Sequence, residues 1–143
     1  MKDVAQFLKV LADEFRLQIL WLLFNYEELC VCDLVEALGV CQSKVSRHLA
    51  TLRHMGLVTD RKDGAWSFYS LRLTSNEFER AVLDVLRKKL AGYPGAVRVL
   101  QDIHIWMKNK RRDVSCVSGG PSSSKKRSKR AGRSRKPSIG DKK

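Results

Sequence analysis

Residues 28–71 read ELCVCDLVEALGVCQSKVSRHLATLRHMGLVTDRKDGAWSFYSL, and this stretch decides the fold. Val31, Leu34, Val35 and Leu38 recur at three- and four-residue spacing, which is one face of a helix, and Gly39 supplies its stop. After this corner, Gln42 to His54 repeats the pattern with Val45, Leu49 and Leu52 inward. Ser43, Ser46, Arg47, Ala50, Thr51 and His54 fall on the opposite, small, polar and basic arc. Two helices joined at a glycine, the second presenting hydrogen-bonding and cationic groups, match a helix-turn-helix, whose second helix enters a DNA major groove. An ordinary helix pair in a bundle has the same periodicity. The next segment separates the two: Leu57, Val58 and Thr59 are strand formers, Asp63-Gly64 is a hairpin turn, and Trp66, Phe68, Tyr69 and Leu71 read as the returning strand. The expected fold is mainly α with a β-hairpin wing, a winged helix-turn-helix, with Arg61 and Lys62 placed to meet phosphates beside the groove.

The two cysteines need separate treatment. On a regular helix two residues turn through about 200°, so Cys30 and Cys32 would point to opposite faces in a helix interior. They converge only at a helix end. Cys30 stands where the N-cap belongs and Cys32 in the first turn, where unpaired amides and the positive end of the dipole favour thiolate. Such a pair suits a soft, thiophilic centre with pyramidal sulfur coordination, such as trivalent arsenic or antimony. The competing reading is two small buried cysteines. Cys41 lies nine residues beyond Cys32, about 13 Å along a helix, and reads as a structural residue at the start of the second helix. Cys116, on a segment expected to be flexible, is the better candidate for a third ligand; an external thiol or hydroxide would also complete the shell.

ELCVCDL followed by SKVSRHLATLRHMGLVTDRKDGAWSFYSL resembles the ArsR/SmtB family of metal-responsive repressors, and within it the arsenic(III)-responsive branch, over roughly residues 4–92. The resemblance implies a homodimeric winged-helix protein that sits on double-stranded operator DNA and leaves it when inducer binds. It places Gln42, Ser43, Lys44, Ser46, Arg47 and His48 in the DNA-reading helix and makes Cys30 and Cys32 the metalloid ligands. The inducer it implies is As(III) or Sb(III), with no cofactor needed for DNA binding. The branch usually continues CVCDLC, and Val35 stands at that third position here. Ala12-Asp13-Glu14-Phe15-Arg16-Leu17 is similar to the family's ADETRL, with Phe15 in place of a small polar residue.

The flanks are scaffold. Val4, Phe7, Leu8 and Leu11 form one apolar stripe; Phe15, Ile19, Leu20, Leu22 and Leu23 form another after Asp13, a helix cap. Trp21 and Phe24 read as core or dimer surface. Beyond the wing, Ser75-Asn76-Glu77-Phe78 starts a helix reaching about Gly92, and Pro94 opens another carrying Val97, Leu100, Ile103 and Trp106, an apolar face suited to a two-fold interface. Asp102 and His104 resemble half of an interfacial zinc site of other branches of the family, but the matching second pair is missing and no such site is expected; His104 reads as packed.

Residues 114–143 hold ten Lys or Arg against one Asp, while the whole chain of 143 residues carries +13. With almost nothing apolar, this tail cannot offset its ordering entropy and is expected to be disordered. It is either a phosphate-seeking arm adding salt-sensitive affinity or a solubilising tail. The division is therefore 1–113, DNA-binding and dimerisation, and 114–143, basic tail. Lys2 and Asp3 open an amphipathic helix rather than a signal peptide, and no apolar run is long enough to span a bilayer, so a cytoplasmic protein with reduced thiols is expected. Two alternatives stay open: the same fold sensing Cd, Pb, Zn or thiol oxidation, and a small thiol enzyme. The enzyme reading lacks a glycine-rich nucleotide loop, a paired general base and a C-x-x-C spacing.

Overall fold

The computed structural model describes residues 1–110. Cys116 and the basic stretch from 114 lie outside the described residues. The elements are α1 (Lys2–Leu11), α2 (Glu14–Asn25), β1 (Leu29–Cys30), α3 (Val31–Leu38), α4 (Gln42–His54), β2 (Val58–Asp63), β3 (Trp66–Leu71), α5 (Glu77–Leu90) and α6 (Pro94–Lys110). Local chemistry sets the boundaries. Asp13 Oδ1 accepts from the amides of Phe15 and Arg16 at 2.9 and 3.1 Å and so caps α2. Asn76 caps α5 by accepting from Glu79 N at 3.1 Å. Gly39, at φ +67°, takes the left-handed conformation that ends α3 and turns the chain towards α4.

The α2 helix is the central post. Ile19, Leu20, Trp21, Leu22 and Leu23 are all buried, and α1, α3, α4, α5, α6 and β3 all contact it. Ile19, Leu20, Leu22, Leu34, Leu49, Leu52, Leu57 and Ile103 reach 0% exposure in one continuous cluster. The expected inward residues of α4, Val45, Leu49 and Leu52, are its buried ones.

Three details differ from the sequence expectation. The hairpin pairs Asp63 with Trp66, so the two-residue loop is Gly64-Ala65 rather than Asp63-Gly64, with Gly64 at φ +66° in its first position. A third strand exists: β1 pairs antiparallel with β3, Leu29 opposite Tyr69 and Cys30 opposite Phe68, giving the order β1-β3-β2. On α6 the buried residues are Val99 and Ile103, with Leu100 and Trp106 packed beside them, while Val97 faces outward, so the core-facing stripe begins at Val99. Leu8, Phe78, Val85, Val97 and Ile105 leave exposed apolar surface on α1, α5 and α6, and α5 buries no residue within one chain.

Two outcomes are expected. Leu49→Ala opens a cavity beneath the second helix and lowers unfolding free energy by about 3 kcal/mol, read from the urea midpoint. For Asp13, burial raises the carboxyl pKa, but the Arg16 and Phe15 amides and the Arg16 charge outweigh it and hold the native value below 3.8. A depressed native pKa stabilises above the unfolded value and the benefit is lost as pH falls through the native one. The stability advantage of wild type over Asp13→Asn is therefore present near neutrality and vanishes in acid, as pH-dependent urea titrations will show.

Candidate metal centre and nucleic-acid interface

Cys30 is the N-cap residue of α3, with extended backbone at φ −89° and ψ 168°, and Cys32 sits in the first turn. This break from helical backbone brings the two Sγ atoms to 3.0 Å. Their convergence at a helix mouth follows the sequence expectation. The electrostatics of Cys30 do not, because its burial and the adjacent Asp33 carboxylate push its thiol pKa up, against a smaller lowering by Lys110. The dipole argument neglected desolvation, which dominates for a residue 3% exposed.

The sequence reading missed Asp33. It is 2% exposed, and its Oδ2 accepts from the Cys30 amide at 2.9 Å, closing the first turn of α3 from position N3. Its Oδ1 accepts from Trp106 Nε1 at 2.8 Å and from Lys110 Nζ at 2.7 Å, both on α6. Lys110 Nζ also lies 3.9 Å from Cys30 Sγ. One ligand atom each from Cys30, Cys32 and Asp33 lie within 4.8 Å of one another, a donor set able to hold a metal or metalloid. Two sulfurs and one carboxylate suit a soft or borderline centre.

The centre is tied to the wing as well. Cys30 pairs with Phe68 on β3, Phe68 stacks with Trp66 at 5.9 Å, and the Arg61 guanidinium lies 4.8 Å from the Phe68 ring. Arg61, expected at phosphates, forms a bidentate pair with Glu28 at 2.8 and 2.9 Å, just ahead of Cys30. Lys62 remains exposed beside it.

On α4, Gln42, Ser43, Ser46 and Arg47 are exposed, as a groove-reading face requires, and Lys44 is half-buried with its ammonium 3.9 Å over the Phe15 ring. His48 turns back to the scaffold. Its ring stacks on Phe15 at 5.9 Å, and Arg16 Nη1 donates to its Nδ1 at 3.3 Å. A guanidinium has no lone pair to offer, so this contact requires a bare Nδ1 and a neutral ring. Burial lowers the His48 pKa, and the neighbouring Arg16, Arg47 and Lys44 act in the same direction against the opposing Asp13. Cys41 caps α4 and is exposed, with Sγ 3.3 Å from Ser43 Oγ, so its role is at the helix end rather than in the core. His104 is exposed, its ring 5.8 Å from that of Tyr26.

The model of the "Bacterial regulatory protein, arsR family" matches residues 13–60. The arsenical resistance operon repressor of Bacillus subtilis is 42% identical over 71 residues, covering 50% of this chain and 68% of that protein. The chain belongs to the ArsR family. The arsenical resistance operon repressor of Escherichia coli is 58% identical over 66 residues, 46% of this ArsR-family chain and 56% of that protein. The cadmium resistance regulator CadC of Listeria innocua is 38% identical over 70 residues, covering 49% and 59%. Reduced HlyU from Vibrio cholerae superposes with a TM-score of 0.53 at 38% identity, over 61% of this chain and 87% of that one. The chain spans about half the length of the Escherichia coli relative. The family is one of regulatory proteins rather than enzymes, and its fold here is the winged helix-turn-helix.

Removing the Asp33 carboxylate leaves the Cys30 amide and the Trp106 indole without their acceptor and Lys110 without its counter-charge. Asp33→Ala is expected to lower stability by about 2–3 kcal/mol, discounted because Lys110 can swing towards water. Urea unfolding followed by tryptophan emission measures it.

Proposed function

We propose that this chain is an arsenite- or antimonite-responsive transcriptional repressor that binds operator DNA as a homodimer and releases it when the metalloid is captured by Cys30 and Cys32. The observation that carries this reading is the pair of sulfurs 3.0 Å apart at the mouth of α3. Support comes from the arsenical-resistance names of its relatives and the exposed polar face of α4. In the reduced protein capture is an exchange without redox change: two As–O bonds of arsenous acid give way to two As–S bonds, and each thiol proton leaves with a hydroxide as water. Cys116, outside the described residues, or an external thiol or hydroxide completes the shell.

In the free repressor, two α4 helices enter successive major grooves. Gln42, Ser43, Ser46 and Arg47 face the bases and phosphates, Lys44 and His48 flank them, and Lys62 with Arg61 meets the backbone at the wing. The uncovered apolar residues of α1, α5 and α6 supply the two-fold interface. Residues 1–113 form this unit, and the basic stretch 114–143 adds sequence-independent attraction for phosphate. Drawing Cys30 and Cys32 around one atom displaces β1 and the first turn of α3. That motion passes to α4 through Leu34, Val45 and Leu49, and to the wing through the pairing of Cys30 with Phe68. A coupling of about 1–3 kcal/mol lowers operator affinity roughly five- to 150-fold.

The second reading, a divalent soft-metal sensor, is favoured by the CadC relatives and by the carboxylate of Asp33 beside the sulfurs. Gel-shift titrations with arsenite, antimonite, cadmium, zinc and peroxide separate the two.

Cys30→Ser and Cys32→Ser are each expected to keep operator binding and lose release by arsenite. Normal release by either variant would refute the site assignment. X-ray absorption of arsenite-loaded wild type and Cys116→Ser reports whether the third sulfur comes from this chain.

A further inference from the structure

A donor set of two thiolates and one carboxylate is triply anionic, which by charge alone suits a divalent cation better than a neutral guest. The structure already holds a cation there. Lys110 Nζ lies 2.7 Å from Asp33 Oδ1 and 3.9 Å from Cys30 Sγ, with its side chain 21% exposed. Its ammonium is 5.7 Å from the Trp66 ring, so one wall of its position comes from the wing. The Trp106 indole donates to the same oxygen, and the Cys30 amide takes the other.

A divalent ion recruiting Asp33 through Oδ1 must expel Lys110 or the indole, the two donors already on that oxygen. One bound through Oδ2 shares that oxygen with the Cys30 amide and still meets the repulsion of the ammonium on the same carboxylate. Arsenous acid meets neither obstacle. It enters uncharged, bonds through sulfur, and leaves the carboxylate with its three donors.

We propose that Lys110 determines specificity, standing in for a metal ion at Asp33 and thereby biasing the thiol pair towards neutral trivalent metalloids and against divalent cations. The inference rests on the reading that Cys30 and Cys32 are the ligands.

The test titrates full-length, reduced protein with cadmium chloride and separately with sodium arsenite, following sulfur-to-metal charge-transfer absorption, with circular dichroism as the check on folding. Lys110→Gln, which keeps a donor but no charge, and Lys110→Met are expected to bind Cd(II) at least tenfold more tightly, with arsenite affinity changed less than threefold. Lys110→Arg retains the wild-type ratio. The double variant Asp33→Asn with Lys110→Gln loses the cadmium gain, because the freed oxygen ligand is no longer a carboxylate. Unchanged cadmium affinity in a folded Lys110→Gln protein, or equal shifts for both ligands, overturns the proposal. An arsenite band absent from wild type, or undiminished in Cys30→Ser, refutes the underlying site reading instead.

Discussion

The carboxylate of Asp33 is the constraint on which the rest of the molecule depends. It is buried, and it is bonded by donors from two places distant in sequence: the amide of Cys30 at the start of α3, and the indole and ammonium of Trp106 and Lys110 at the end of α6. A buried ionised group is tolerable only when fully hydrogen-bonded, so these three contacts act together. They fix the backbone at which the sulfurs meet, and they pin the last helix across the first turn of α3. Any change at the sulfurs is felt at both.

Two mechanical routes lead away from this point. One runs through the packed interior from α3 to α4, whose outward residues are polar and basic. The other runs across the sheet, where Cys30 is paired with Phe68 and the wing strand β2 lies one position further. The Glu28–Arg61 pair reinforces the second route from the surface. The α4 helix is held on its far side too, by Phe15 and Arg16 against His48. A helix clasped at both flanks answers a shift of its support by moving as a body rather than by bending.

Most of the fold was legible because the core obeys simple periodicities. Val31–Leu38 and Gln42–His54 have the bounds their apolar spacing and glycine stop indicate, and the sulfur convergence followed from asking where a C-x-C pair can meet. The errors have identifiable origins. On α6, Val97 and Val99 are both apolar, and only tertiary packing chooses between them. Asp63-Gly64 has the composition of a turn, yet the pairing of Asp63 with Trp66 moves the loop one residue on. Strand β1 is two residues long, below what alternation can reveal. Asp33 carried a readable signal, three residues after a cap, in the position of a capping box. Trp106 and Lys110 carried none: their partnership with Asp33 spans more than seventy residues and depends on how two helices cross.

The brevity of β1 has a consequence for the register of the sheet. Leu29 and Cys30 are wholly specified by their partners on β3, and a strand this short has no spare length to absorb a slip. A slip of one residue in that pairing would trade the places of an aliphatic side chain and a sulfur while leaving the composition intact. The two-residue strand and the N-cap of α3 together decide which side chain stands at the mouth of that helix.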